Sequence, residues 1–210
     1  MNKNNGTEEF YKRNLKVYIN GVKNKSYYYF TPKKCGVYTI IIKFSEKFTS
    51  CASIFNLNYN RQENLIKSID LSYFNSKNVI SMQKMFNGCK NLIKIKFPSS
   101  FDTNNVTDMS GMFQMCENLK EIDLSCFNTK NVKNMSVMFQ GCTNISKIIL
   151  SSFNTQNVEN MNEMFEGCEN LENIDLSSFN YEKTKSLNKD SEKIKEIIDE
   201  TFIEPPIITY

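Results

Sequence analysis

Tryptophan and histidine are absent from this chain of 210 residues. Without histidine it lacks the commonest general base, the commonest metal ligand and the one side chain that ordinarily titrates near neutral pH. A dominant charge is missing too: 26 basic and 23 acidic residues leave a net +3, with no basic block of the kind that tracks phosphates, so nucleic acid is not an implied partner. Long apolar runs are equally lacking. The longest, residues 37–42, is interrupted by Thr39 and is far too short to span a bilayer. The first residues, Met1 to Gly6, are polar and lack the apolar core of a leader, so the chain reads as soluble and not secreted. No CxxC pair or other zinc spacing occurs, and seven cysteines, an odd number, exclude complete internal pairing.

What the sequence does have is an octet. In Met135-Ser136-Val137-Met138-Phe139-Gln140-Gly141-Cys142 the apolar residues fall at i, i+3, i+4 and i+7, a spacing that predicts one face of a short helix. The same pattern recurs as Met82, Met85, Phe86, Cys89, as Met109, Met112, Phe113, Cys116, and as Met161, Met164, Phe165, Cys168, with steps of 27, 26 and 26 residues. A fixed period of this size predicts a solenoid in which each copy buries its apolar side chains only against its neighbours. Each copy also carries a strand pattern, Ile69-Asp70-Leu71, Ile95-Lys96-Phe97, Ile122-Asp123-Leu124, Ile148-Ile149-Leu150 and Ile174-Asp175-Leu176, in which two inward residues flank an outward one. An aromatic anchor follows (Phe74, Phe101, Phe127, Phe153, Phe179), then an Asn-Val pair, then the octet. Gly88, Gly141 and Gly167 stand where a left-handed residue is expected. Met115 breaks that rule, at a cost on the order of 1 kcal/mol. Pro98 marks the insertion that makes one step 27.

The fold class that follows is an α/β solenoid, a right-handed stack of parallel strands and short helices with a cap at each end. Residues 1–47 read as an N-terminal β cap: a weakly tied start to residue 14, a strand over 15–19, a hairpin at Asn20-Gly21, and strands at 27–30 and 37–44 separated by Pro32 and Gly36. Residues 48–180 hold one worn copy, with Cys51, Ile54 and Phe55 at the octet positions, and about four regular ones. Residues 181–210 read as a closing helix over 191–202, with Ile194, Ile197, Ile198 and Phe202 on one face and Pro205-Pro206 beyond it. An amphipathic peptide docking on a partner is the alternative.

Most repeated residues are accounted for by architecture. The Met and Phe columns read as core, and the cysteine column as small apolar filler that no neighbouring group activates. The Asn columns (Asn78, Asn105, Asn131, Asn157 and Asn91, Asn118, Asn144, Asn170) read as hydrogen-bond partners for loop backbone between copies. Of the sequons at Asn105, Asn134 and Asn144, two lie at the repeat's own Asn positions, so they read as accidents of sequence. No paired carboxylates, nucleophile elbow, phosphate loop or metal spacing is found. Neither an enzyme nor a cofactor nor a bound metal is therefore expected.

Binding is expected on the outward strand positions. One column reads Asp70, Lys96, Asp123, Ile149, Asp175, and the next Ser68, Lys94, Glu121, Lys147, Asn173. Opposite charges alternate, so neighbours satisfy part of each column, at about 0.2–1 kcal/mol per pair. Ile149 interrupts the alternation with an apolar side chain and is the best single contact candidate. Lys94, Lys96, Glu121, Asp123, Lys147 and Ile149 form the expected protein-facing patch.

The units Leu119 to Thr129 (L-x-x-I-x-L-x-x-F-N-T) and Asn131 to Ile145 (N-V-x-x-M-x-x-M-F-x-G-C-x-N-L) resemble the BspA-like leucine-rich repeats of bacterial and protist surface proteins, and the resemblance covers roughly residues 48–180. It implies a leucine-rich-repeat-like solenoid without enzymatic activity that takes part in protein binding and adhesion at the cell surface. The partner is expected to be a protein of unknown identity and the chain a monomer. An intracellular scaffold without surface display is the alternative, and the location stays open between the two.

Overall fold

The computed structural model describes residues 15–19, 21–23, 40–44, 48–55, 66–72, 74–189 and 192–201. The chain divides into two units, Met1–Phe48 and Thr49–Tyr210.

In the first unit, β1 (Leu15–Ile19) pairs antiparallel with β2 (Val22–Lys23) on one side and β3 (Ile40–Phe44) on the other. Gly21 turns between β1 and β2 at φ +81°, the left-handed conformation that the Asn-Gly signal demands. The expected strand at 27–30, Pro32, Gly36 and the first fourteen residues lie outside the described residues.

The second unit is a repeat-like, β-rich array. Its short strands are β4 (Ser68–Asp70), β5 (Lys94–Lys96), β6 (Glu121–Asp123), β7 (Lys147–Ile149) and β8 (Asn173–Ile174). All pairings among them are parallel and in repeat register: Ile69 opposite Ile95, and Ile122 opposite Ile148 opposite Ile174. The strands do not form one continuous sheet. β4 and β5 make one pair, β6, β7 and β8 another group, and no ladder joins β5 to β6. The cause is the inserted residue. Leu71 and Leu124 each donate a backbone N–H to the next copy, to the carbonyls of Lys96 and Ile149. In the copy between them the turn is closed by Phe101 N–H donating to Pro98 O, as Phe74 and Phe127 donate to Leu71 and Leu124. Pro98 therefore occupies the leucine position, and proline has no N–H to donate. Phe97, the extra residue, lies edge-on against Phe101 and Phe127 at 4.9 and 5.1 Å.

The octets are not helices. They are runs of hydrogen-bonded turns, and the two kinds of N–H in them go to different places. Met138, Gln140 and Cys142 donate to the residue three before, as a turn does, whereas Met135, Val137, Phe139 and Gly141 donate to Asn160, Asn162, Met164 and Glu166 of the next copy at 2.7–2.9 Å. The same alternation holds at Met82, Lys84, Phe86 and Gly88 and at Met109, Gly111, Phe113 and Met115. Sending every second amide sideways forbids the i→i−4 ladder of a helix. It also requires left-handed residues at two places in each octet: Lys84, Gly111, Val137 and Glu163 at φ +51 to +59°, and Gly88, Met115, Gly141 and Gly167 at φ +59 to +74°. A row of parallel bridges, Ser50–Ser81–Asp108–Asn134–Asn160, marks where this side of the array enters each octet, and it runs unbroken past the insertion.

The inward residues meet the expectation. Met, Met, Phe and Cys of all four octets are buried, as are Val79, Val106, Val132, Val158 and the Phe anchors. Phe55, Phe86, Phe113, Phe139 and Phe165 stack ring on ring at 5.3–5.7 Å with planes within 4–11° of parallel. Of the worn first copy, Cys51 and Phe55 hold their octet places, and residues 56–65 lie outside the description. At the C-terminal end α1 (Tyr181–Thr184) is capped by Asn180, a 3-10 turn follows over Lys185–Lys189, and α2 (Glu192–Thr201) closes the described chain. Ile194 and Ile198 are buried, so the apolar face of α2 is spent within its own chain. Ser191, Phe202 and the Pro205-Pro206 pair lie outside the described residues.

Met115 adopts φ +59° despite its side chain, and that side chain lies over Gly141, where an added Cβ would sit 2.6 Å from Met115 Sδ. Met115→Gly is predicted to raise the urea midpoint by up to about 1 kcal/mol of stability, and Gly141→Ala to lower it by ~1–2 kcal/mol. The loss at Gly141→Ala should be smaller in the Met115→Gly background, because one of its two causes is then gone.

Candidate functional site

The outward strand face begins with where each expected residue falls. Lys94, Lys96, Glu121, Asp123 and Lys147 are all exposed, while Ile149 is only half-buried, opposite Asp123 across the β6–β7 pair. The break between β5 and β6 runs through the patch. It separates Lys94 and Lys96 from Glu121, Asp123, Lys147 and Ile149.

Several of these charges already have work. Lys96 pairs with Asp70 at 3.4 Å, both well exposed, so solvent screens the pair. Asp70, Asp123 and Asp175 turn inward on their own backbone: their Oδ1 atoms accept from the N–H of Ser72, Ser125 and Ser177 at 2.8–2.9 Å. Bonds from Ser72 and from Ser177 hold the Asp70 and Asp175 carboxyls below the usual carboxylate range, and those from Ser125, helped by the charge of Lys147, do the same for Asp123. The D-L-S run at the ends of β4, β6 and β8 is therefore a device for leaving the strand.

The same device explains much of the asparagine. Asn75, Asn128 and Asn154 accept from the N–H two residues on, as do Asp108, Asn134 and Asn160 at the octet entrance. The Asn columns bridge copies as expected: Asn105, Asn131 and Asn157 donate to the carbonyls of Lys77, Asn104 and Lys130, and Asn144 and Asn170 to those of Glu117 and Thr143.

Two polar columns were not anticipated. Buried Thr103 and Thr129 each donate to the carbonyl of the next copy's Asn128 or Asn154 and accept that residue's N–H, and Thr155 accepts from Asn180. The recurring F-N-T triplet was the signal. A side-chain amide ladder, Asn87 to Gln114 to Gln140 to Glu166, lies beside the left-handed glycines. Its varied residues hid it.

The cysteine column is more than filler. Cys89, Cys116, Cys142 and Cys168 place Sγ 3.1–3.3 Å from the carbonyls of Phe55, Phe86, Phe113 and Phe139 in the preceding copy, donating a weak S–H bond. Burial pushes the Cys142 thiol up to about 12 and raises the Cys51 and Cys116 thiols as well, so they stay protonated and unreactive. Among the described residues no group of three or more acidic or cysteine side chains is arranged to hold a metal ion. No helix among them is long and apolar enough to cross a membrane.

In the second unit, Ile80 and Ile93 are exposed apolar residues that sequence reading passed over, at 49% and 52%. Ile93 stands at a repeat position held elsewhere by Lys67, Lys120, Ser146 and Glu172, so aligning the copies would have found it.

A family model described as "Mycoplasma protein of unknown function, DUF285" matches residues 49–149 and 118–197, together more than half of the chain. No curated protein and no solved structure matches it.

Two outcomes follow for this surface and the core beneath it. Because the folded pKa values of Asp70, Asp123 and Asp175 are depressed, their contribution is complete above the unfolded carboxylate pKa of about 4 and is lost as pH falls through the lowered values. A variant with Asn at all three positions keeps the turns without a titrating group, and its melting temperature should fall less between pH 6 and pH 3 than that of the wild type. With Cys35 replaced by Ser, Ellman's reagent at pH 8 should reach half-buried Cys126 but not Cys51, Cys89, Cys116, Cys142 or Cys168 until denaturant is added.

Proposed function

The chain belongs to the DUF285 family, and on that premise we propose that it is a non-enzymatic protein-binding module of the BspA-like leucine-rich-repeat type. Its 49–197 region then forms a right-handed solenoid, closed by the C-terminal helix, with the strand face turned to the partner. The single observation behind this reading is how the repeated side chains are used. The Met, Phe and Cys columns are buried, and the recurring Thr and Asn side chains are bonded to backbone of neighbouring copies. The strand face is different, because its residues vary from copy to copy: Ser68, Lys94, Glu121, Lys147 in one column and Asp70, Lys96, Asp123, Ile149 in the next. A framework held constant with a face that changes is the economy of a binding scaffold, not of a catalytic centre.

The partner is a protein, the site is the face carrying Lys94, Lys96, Glu121, Asp123, Lys147 and Ile149, and no cofactor takes part. Adhesion at a cell surface is the use that the resemblance favours. An intracellular scaffold is the second reading, favoured by the buried thiols of Cys116 and Cys142, which form no disulfide and suit a reducing compartment.

The test compares three immobilised proteins by quantitative mass spectrometry of what they retain. They are the wild type, a strand-face variant (Lys96→Glu, Lys147→Glu, Ile149→Glu) and a turn-side variant (Lys77→Glu, Lys130→Glu). The expected result is a protein held by the wild type and the turn-side variant and lost by the strand-face variant. Retention that is the same on all three would remove the assignment of the face. Antibody labelling of intact against permeabilised cells separates the two locations.

A further inference from the structure

The seam between β5 and β6 differs from the rest of the strand face in three ways. The first is backbone. On either side of it the strand-entry amides cross between copies: Ile93 and Lys94 donate to Lys67 O, and Ser146 and Lys147 donate to Lys120 O. At the seam the corresponding bonds from Lys120 and Glu121 to Ile93 O do not form, so a carbonyl and strand-entry amides are left unpaired there. The second is charge. Lys67, Lys94 and Lys120 are all exposed, and among the described residues no carboxylate pairs with any of them. Of the nearby acids, Asp70 is engaged by Lys96 and Ser72 and Glu117 by Lys90 at 2.8 Å, while Glu121 forms no ion pair with these lysines among the described residues. The third is the apolar residue. Ile93 lies at the edge of the seam, between Lys67 and Lys120 in its repeat column and next to Lys94 in sequence, and is 52% exposed.

We propose that this seam is the docking point for an acidic protein segment that brings one apolar side chain to Ile93 and carboxylates to Lys67, Lys94 and Lys120. The open strand-entry amides add backbone donors for the segment's carbonyl or carboxylate oxygens. The inference rests on the reading of the strand face as a binding surface and names the chemistry of the partner. It also moves the centre of the face from half-buried Ile149 to Ile93. Three cations without a carboxylate partner among the described residues, around an exposed isoleucine, favour an acidic, partly apolar ligand over a basic one by plain charge complementarity. Ile80, the other exposed isoleucine of the array, has Thr107 at its repeat position in the next copy and no comparable ring of cations.

The test is fluorescence anisotropy with a short labelled peptide of Glu-Glu-Leu repeats and a Lys-Lys-Leu counterpart, on the full chain. The acidic peptide should bind saturably, less tightly as salt rises, and the basic one should not bind. Ile93→Ala and the pair Lys94→Glu with Lys120→Glu should each weaken binding about tenfold or more, a difference of about 1.4 kcal/mol. The pair Lys77→Glu with Lys130→Glu makes the same charge change on the turn side and should leave binding unchanged. All of these positions are surface-exposed or half-buried, and unchanged thermal melts establish that the variants fold. No saturable binding of the acidic peptide, or equal loss in the turn-side control, overturns the proposal. So does low-salt self-association of the wild type that Glu196→Lys with Glu200→Lys abolishes, because the occupant is then a second copy. A partner lost in the strand-face variant but indifferent to Ile93→Ala would leave the binding face standing and remove this seam alone.

Discussion

The structure depends on one constraint: in every octet but the last, alternate amides leave their own copy. Once Met135, Val137, Phe139 and Gly141 donate to the following copy, the amides between them can close only short turns, and a turn of that kind needs a left-handed residue. The glycines at 88, 141 and 167 are there for that reason, and Val137, a β-branched residue at φ +51°, shows how strongly the crossing bonds hold the conformation. The constraint also fixes the period. A copy longer by one residue must lose the excess somewhere, and residues 97–98 lose it on the strand side, leaving the octet side in register.

Everything polar inside the array serves the same end. A chain that turns this often leaves carbonyls and amides unpaired, and buried backbone groups must find partners. Thr103 and Thr129 both donate and accept, Asn105, Asn131 and Asn157 donate to loop carbonyls, and the cysteine thiols reach the Phe carbonyls of the preceding copy. The stacked Phe rings lie between these polar columns and supply apolar burial that a single copy could not provide alone. The fold is thus a set of columns, each with one task, repeated at one spacing.

That organisation decides what can be read from sequence. Period, inward residues and strand register are legible because identical side chains recur where burial demands them. The octet conformation is not, because apolar residues at i, i+3, i+4 and i+7 suit a helix and a run of turns equally. The recurring glycine at the seventh position suits the end of a helix as well as a turn. The seam was half legible: Pro98 announced the insertion, but its effect on pairing depends on which copy lacks the donor. Ile149 drew attention as an apolar residue in a charged column, yet its neighbours half-cover it, whereas Ile93 showed only on alignment of the copies. What the sequence offers on function is a strand face whose residues vary from copy to copy.

Amide hydrogen exchange by NMR tests the central claim most directly. If alternate amides bind the copies together, Met109, Gly111, Phe113 and Met115 and their counterparts at 135–141 should exchange slowly and with a common free energy, while the seam amides of Lys120 and Glu121 exchange fast. Protection that instead runs through consecutive octet residues as in a helix, or that differs independently from copy to copy, would contradict the account.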